Sequence, residues 1–314
     1  MDLETFKNLN LHVNFPRELT VNGRSNSELM NAINTPGDVH YHPCRESYFN
    51  EATDQGELYR FEDWSENTIF PQTNRNISVY VPKQADSNNP SNLIVFQDGD
   101  WYLEKTGPVR ATAVLDTLIH RKLIPPTIAI FVMPGRPIGY PAPKPGEMPN
   151  PEARNQRSVE YDTCNGDYGS FLLEDVIPFV KKELGLNIAT DASKIILAGI
   201  SSGGICAFNA AWHWPESFGN VLSHCGSYTN IRGGHNYPYL IRSTERKPIK
   251  VFLQSGELDA NIIFGNWALA NKEMASALEF AGYQYRFEFG KAGHSLSHGG
   301  AIFAESIRWL WPKQ

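Results

Sequence analysis

A serine set between glycines, a carboxylate past a later strand and a histidine in a glycine-flanked loop follow one another in this chain. The serine is Ser201, in Gly199-Ile-Ser-Ser-Gly203, a G-x-S-x-G match. A serine hydroxyl is a poor nucleophile at neutral pH. It needs a base to take its proton, and the base needs an acid to orient it. The run Lys194-Ile-Ile-Leu-Ala-Gly-Ile200 is β-branched and apolar, as in a strand buried on both faces, and Ser202 to about His213 reads as helix. That strand-before, helix-after context separates a nucleophile elbow from a plain Gly/Ser turn. Glycines two residues either side are needed where a Cβ would strike the neighbouring strand or helix.

The partners should lie at the carboxyl ends of later strands. Ile249–Leu253 reads as a strand and runs into Gln254-Ser-Gly-Glu-Leu-Asp259. Asp259 is the expected acid, with Glu257 in reserve. After the last strand comes Gly290-Lys-Ala-Gly-His294-Ser-Leu-Ser-His298, so His294 is the expected base and His298 its reserve. The order serine, acid, histidine is that of α/β-hydrolases. A tetrahedral oxyanion also needs two donors. The helix after the serine offers the Ser202 N–H. The loop Gln97-Asp-Gly-Asp-Trp101 offers a second from the Asp100–Trp101 turn, with Gly99 letting the backbone turn inward. Asp98 and Asp100 are awkward beside a developing negative charge; their side chains must point away, or bind substrate hydroxyls or a cation.

The elements that would position these groups alternate strand with helix. Strands are expected at Asn76–Val81, Asn92–Phe96, Thr127–Val132, Lys194–Ile200, Asn220–Cys225, Ile249–Leu253 and Tyr283–Phe289. Helices are expected over Pro108–Arg121, Asp167–Gly185 (bent at Pro178), Ser202–His213, Trp267–Phe280 and Ala301–Trp311. Pro134–Pro151 is a proline-rich loop, and Gly226–Lys247 a polar, aromatic one. The pattern predicts an α/β fold: a mostly parallel central sheet with helices on both faces. Residues 1–60 lack a sustained period and form an N-terminal arm or small subdomain; 61–314 form the catalytic domain.

The 314 residues are 41% hydrophobic and 20% charged with a net charge of -6, ordinary globular composition that disfavours nucleic acid or an anionic membrane as partner. No apolar run approaches the ~20 residues of a membrane span. No secretory signal is visible at Met1, which points to the cytoplasm. Cys44, Cys164, Cys206 and Cys225 show no CxxC spacing, so zinc and redox dithiols are not expected. His40 and His42 would share a face if they lay in a strand, but they lack a third ligand nearby, so a surface or cap feature is expected. The triad chemistry calls for neither metal nor organic cofactor.

With these residues placed, the chain resembles the putative esterase family of α/β-hydrolases, which includes enterochelin (siderophore) esterases, feruloyl esterases, S-formylglutathione hydrolase and mycolyltransferases. The resemblance runs from about Asn76 to Pro312. It is carried by the elbow, by Gly256-Glu-Leu-Asp259, by Gly293-His294 and by Phe96-Gln-Asp-Gly-Asp-Trp101. Arg157-Ser-Val-Glu-Tyr161, followed by Tyr168-Gly-Ser-Phe-Leu-Leu-Glu174, is similar to a further family stretch. On that resemblance Arg157 and Glu160 line or brace the acyl side of the site; the alternative is a salt-bridged pair under the loop. Gly99, Trp101, Tyr102, Tyr228 and the proline-rich loop would shape a pocket for aromatic or sugar-linked esters. The Trp267 ring would either reach the pocket rim or pack its helix on the sheet.

The function so implied is serine carboxylic ester hydrolysis through an acyl-enzyme, on a small-molecule ester. A homodimer is compatible with the sequence. Two rivals keep the fold: an acyltransferase passing the acyl group to a sugar or lipid hydroxyl, and a non-catalytic hydrolase-like binding protein.

Overall fold

The computed structural model describes residues 20–21, 24–25, 36–48, 53–143 and 150–311. Eight strands run along one sheet: β1 Glu57–Trp64, β2 Thr73–Val81, β3 Asn92–Gln97, β4 Thr127–Val132, β5 Ile195–Ile200, β6 Asn220–His224, β7 Lys250–Leu258 and β8 Gln284–Gly293. Arg136–Pro137 adds a short ninth strand beside β2. The order is β8-β7-β6-β5-β3-β4-β2-β1. The pairings from β8 to β4 are parallel, whereas β2 and β1 are antiparallel. This is the α/β-hydrolase architecture.

The central strands are apolar throughout because each feeds two cores. In β3, Leu93 and Val95 join one cluster while Ile94 and Phe96 join the other. In β5, Ile195 and Leu197 face the first, and Ile196, Ala198 and Ile200 the second. Alternation across a pleated strand sends successive side chains to opposite faces, so a two-sided strand shows no polar period.

Helices cover both faces. They are α1 Gly99–Leu103, α2 Ala111–His120, α3 Pro151–Asp162, α4 Asp167–Ser170, α5 Ile177–Leu184, α6 Ser202–His213, α7 Tyr237–Ser243, α8 Trp267–Phe280, α9 Ser297–Ala301 and α10 Phe303–Leu310. The expected helix at Asp167–Gly185 is α4 and α5 joined by a π-helical stretch, Phe171–Val176, immediately ahead of Pro178. The widened turn takes up the position where proline lacks an N–H. Gly185, at φ 62, closes it.

The helix α3 fills a stretch given no element from sequence, and α7 lies within the expected loop Gly226–Lys247. The helix α3 has Pro151 in its first turn and an Asn150 cap whose Oδ1 accepts the Ala153 N–H at 2.7 Å. Its body, Glu-Ala-Arg-Asn-Gln-Arg-Ser, carries little apolar periodicity. The helix α7 begins at Tyr237 with Pro238 in its first turn.

The strand β1 starts at Glu57, inside the span assigned to the N-terminal arm. Of the arm's other residues, 36–41 lie against the exit of β8, while Arg45–Ser47 packs on α2. Gly37 meets the Lys291 carbonyl so closely that a Cβ there would come within 2.0 Å of its oxygen. Asp38 accepts the Gly293 N–H at 2.9 Å, and the Tyr41 hydroxyl accepts that of Lys291 at 2.9 Å. This segment therefore braces the loop that carries His294. Most of Met1–Pro36 lies outside the described residues, and no described helix is long and apolar enough to cross a membrane.

Candidate active site

The sheet reverses its winding between β3 and β5, neighbours in space with β4 on the far side of β3. A crevice opens at such a switch point because the chains leaving the two strands diverge. Ser201 stands at the end of β5 and Gly99 at the end of β3, so both sides of the expected site flank that crevice.

Ser201 has φ 58 and ψ -123, a strained conformation for a residue with a Cβ. Its surroundings hold it there. The Ser201 N–H donates to the His224 carbonyl at 2.9 Å, and its own carbonyl accepts from Gly204, Ile205 and Ser227. A Cβ on Gly199 would lie 2.2 Å from the Gly203 carbonyl oxygen, and one on Gly203 would lie 3.0 Å from Asp98 Oδ2. The flanking glycines thus let strand, helix and neighbouring loop close on the serine.

His294 Nε2 is 2.8 Å from Ser201 Oγ, and His294 Nδ1 is 2.6 Å from Asp259 Oδ1. Asp259 is buried; its Oδ1 also accepts the Ala260 N–H at 2.8 Å and its Oδ2 accepts the Ser255 hydroxyl at 2.5 Å. The expected nucleophile, base and acid are therefore in hydrogen-bonded series. The reserves are not. Glu257 is exposed. His298 is buried on α9, stacked on Tyr41 with centroids 4.3 Å apart, and its Nδ1 meets the Gln254 amide at 3.3 Å. Burial lowers its pKa.

Ser227, which no sequence pattern singled out, and Trp267 complete the nucleophile's surroundings. Ser227 Oγ lies 3.2 Å from Ser201 Oγ and accepts the Trp267 indole N–H at 3.1 Å. With the indole donating to it, Ser227 is free to direct its own proton at Ser201 Oγ while Ser201 donates to His294. Trp267 is buried and meets the His294 ring edge-on at 5.8 Å. It is packing behind the imidazole rather than a rim residue. No local pattern marks Ser227, which arrives from the loop after β6.

At the oxyanion side, Ser202 is the first residue of α6, so its N–H has no carbonyl one turn earlier in the helix. The Trp101 N–H is not available as the second donor, because it bonds the Asp98 carbonyl at 3.1 Å and closes the turn. The Asp100 N–H faces only the Met133 thioether sulfur at 3.4 Å, a weak acceptor that an oxyanion can replace. Gly99 cannot carry a side chain: its Cβ would fall 2.5 Å from Phe131 Cα. The Trp101 side chain is 51% exposed.

One of the two awkward carboxylates has a partner. Asp98 receives a two-pronged bond from Arg157, Nε to Oδ1 at 2.9 Å and Nη2 to Oδ2 at 2.7 Å. Burial raises the Asp100 pKa, opposed by the charge of Arg60.

Three residues expected to touch substrate do not. Tyr102 is fully buried, its hydroxyl 3.0 Å from His224 Nδ1; burial drives that histidine's pKa down to about 3. Tyr228 is buried against Phe208 and donates to Ser223 Oγ at 3.0 Å. Glu160 is wholly buried and pairs with Arg75, not Arg157, at 2.6 and 3.0 Å, while also accepting from Gly135 and Gln156. It ties β2 to α3. Glu160→Ala would leave the Arg75 guanidinium buried and uncompensated, so unfolding in urea should show a loss of about 3–5 kcal/mol. A loss under about 1 kcal/mol would mean that Arg75 finds water or another acceptor.

Among the described residues, the one Cys/His/carboxylate group compact enough for a metal is Cys225, Asp259 and His294, which is the acid–base pair itself with a buried thiol. His40 and His42 are exposed and belong to no such group. A large cavity, about 1410 Å³, lies at the opposite end of the sheet, beside the amino ends of β3, β6 and β7 at Asn92, Asn220 and Lys250.

Fold and site together define an α/β-hydrolase. Residues 68–307 match the family model described as "Putative esterase", and the chain belongs to that family. It is 28% identical over 183 residues to an iron(III) enterobactin esterase of Escherichia coli, a match covering 56% of this chain and 40% of that one. With the iron(III) enterobactin esterase of Dickeya dadantii the identity is 23% over 265 residues, covering 79% and 54%. The chain thus spans about half the length of these curated relatives. Among solved structures, a CE1 ferulic acid esterase from Anaeromyces mucronatus has a TM-score of 0.62 at 19% identity, covering 85% of this chain and 95% of that one. The enterobactin esterase from Shigella flexneri gives 0.61 at 20%, covering 83% and 61%.

Proposed function

We propose that this protein is a serine carboxylic ester hydrolase working through an acyl-enzyme. The observation that carries the reading is the unbroken series Asp259–His294–Ser201, at 2.6 and 2.8 Å, on a strained elbow. In the first step Ser201 Oγ attacks the ester carbonyl carbon while His294 Nε2 takes its proton. Asp259 holds the ring through Nδ1–H and offsets the imidazolium charge. The carbonyl oxygen becomes an oxyanion facing the Ser202 and Asp100 N–H groups, where one such donor typically contributes ~10²–10³ in rate. Collapse expels the alcohol, protonated by His294. Water then takes the alcohol's place, loses a proton to His294, and releases the acid and the free serine.

Feruloyl esters and enterobactin are the first substrates to try, since the similar proteins are named for them. The exposed Trp101 ring on the oxyanion loop offers an aromatic acyl group a stacking face. A fluorophosphonate should add covalently at Ser201, and an ester panel read by product mass should yield free acid. An unlabelled Ser201 would exclude the mechanism; acyl transfer to an added alcohol in place of free acid would make the enzyme a transferase.

A further inference from the structure

The Ser227 hydroxyl is buried 3.2 Å from the nucleophile oxygen, and the triad gives it no part. Among the described residues it meets two groups, Ser201 Oγ and the Trp267 indole N–H, the latter at 3.1 Å. An indole nitrogen donates and cannot accept. The Ser227 proton therefore has one acceptor, Ser201 Oγ, whose own proton lies toward His294 Nε2 at 2.8 Å. The four groups form a chain of one polarity, from Trp267 through Ser227 and Ser201 to His294. Each donor in such a chain is strengthened by the one behind it.

Several bonds hold Ser227 in this place. Its N–H donates to the Ser201 carbonyl at 3.0 Å, fixing the two serines backbone to backbone. Just before it, the Gly226 carbonyl accepts the side-chain amide of Asn271 at 2.9 Å. Asn271 is fully buried one turn past Trp267 on α8 and also bonds the Trp267 carbonyl. The Trp267 backbone N–H donates to the Ala260 carbonyl at 2.8 Å, beside Asp259, and its ring stands edge-on to that of His294. Trp267 thus touches the acid's loop, the base and the donor to the nucleophile. A separation of 3.2 Å is long for two hydroxyls. Catalytic hydrogen bonds that are long at rest tighten in the transition state, and Ser201 Oγ gains charge as its proton leaves. An interaction stronger in the transition state than before it raises kcat and leaves KM alone.

We propose that Ser227 is a catalytic residue beside the triad, a hydrogen-bond donor to Ser201 Oγ, and that Trp267 is the positioning residue that aims and strengthens it. The proposal rests on the esterase reading above. During acylation the Ser201 proton passes to His294, while Ser227 keeps its own and shares it with Oγ as charge builds there. During deacylation Oγ is the leaving atom, and Ser227 again offsets its charge until His294 returns the proton. No bond in Ser227 breaks. The test compares Ser227→Ala, Trp267→Phe and the double variant with wild type on p-nitrophenyl acetate. Circular dichroism controls for folding, and the rate of fluorophosphonate labelling is the second readout. Ser227→Ala should lose about 10–100-fold in kcat with KM within about twofold, and label more slowly. Trp267→Phe keeps a ring beside His294 but removes the N–H, and should lose about threefold or more in kcat. In the double variant the phenylalanine should cost nothing further, because the indole acts through the hydroxyl. A Trp267 that only packs would cost the same in both backgrounds. Wild-type kcat in a folded Ser227→Ala protein would overturn the proposal, as would fully additive losses. If Ser227→Ala does not fold, Trp267→Phe decides: a fall in kcat with KM kept supports the proposal, and wild-type kcat overturns it. Should wild type neither hydrolyse the ester nor label at Ser201, the esterase reading itself fails and the proposal falls with it.

Discussion

Ser201→Ala should lower kcat for p-nitrophenyl acetate by about 10⁵–10⁶, leaving only the rate that binding and the oxyanion donors supply. The substitution is suited to this position. Alanine keeps the Cβ, so the strain at φ 58 is the same as with serine, and the backbone bonds to His224, Gly204, Ile205 and Ser227 are untouched. What is lost is the hydroxyl between His294 Nε2 and Ser227 Oγ, near a crevice where water can take its place. Thermal unfolding should stay within a few degrees of wild type, and labelling by a fluorophosphonate should vanish. Retained turnover with an intact fold would move the nucleophile elsewhere.

The second large effect is expected for Asp259→Asn, about 10⁴ in kcat with KM nearly unchanged. Three donors converge on this carboxylate: His294 Nδ1–H, the Ala260 N–H and the Ser255 hydroxyl. An asparagine has one acceptor oxygen and two N–H donors. One of its N–H groups must face a donor, and the easiest relief is for the imidazole to carry its proton on Nε2. That tautomer points a hydrogen at Ser201 and cannot accept one. Steady-state kinetics with circular dichroism as a fold control would check this. A fall of less than tenfold would remove Asp259 from the acid's role, and exposed Glu257 has no contact with His294 to inherit it.

Hydrogen bonding explains why some site residues were legible and others were not. Ser201, Asp259 and His294 sit at positions that strand ends and glycines mark along the chain. Ser227 and the pairing of Asp98 with Arg157 have no such mark. Their partners are ordinary polar residues 26 and 59 positions away. Tyr102 and Tyr228 misled because an aromatic beside a motif looks equally suited to a pocket or a core. Burial decided for the core.

Apolar period, glycine placement and strand termini mark the sheet-forming runs, the turn at Ser201 and the chain order of Ser201, Asp259 and His294, because each of these signals is local and has a steric cause. Tertiary structure alone decided which donors the oxyanion loop offers. The Trp101 N–H is spent on its own turn, while that of Asp100 meets only a sulfur from β4's exit. It also decided that Glu160 answers Arg75 and that Arg157 answers Asp98. Those choices depend on which strands lie side by side, and side-by-side order is set by packing of both faces of the sheet over the whole chain.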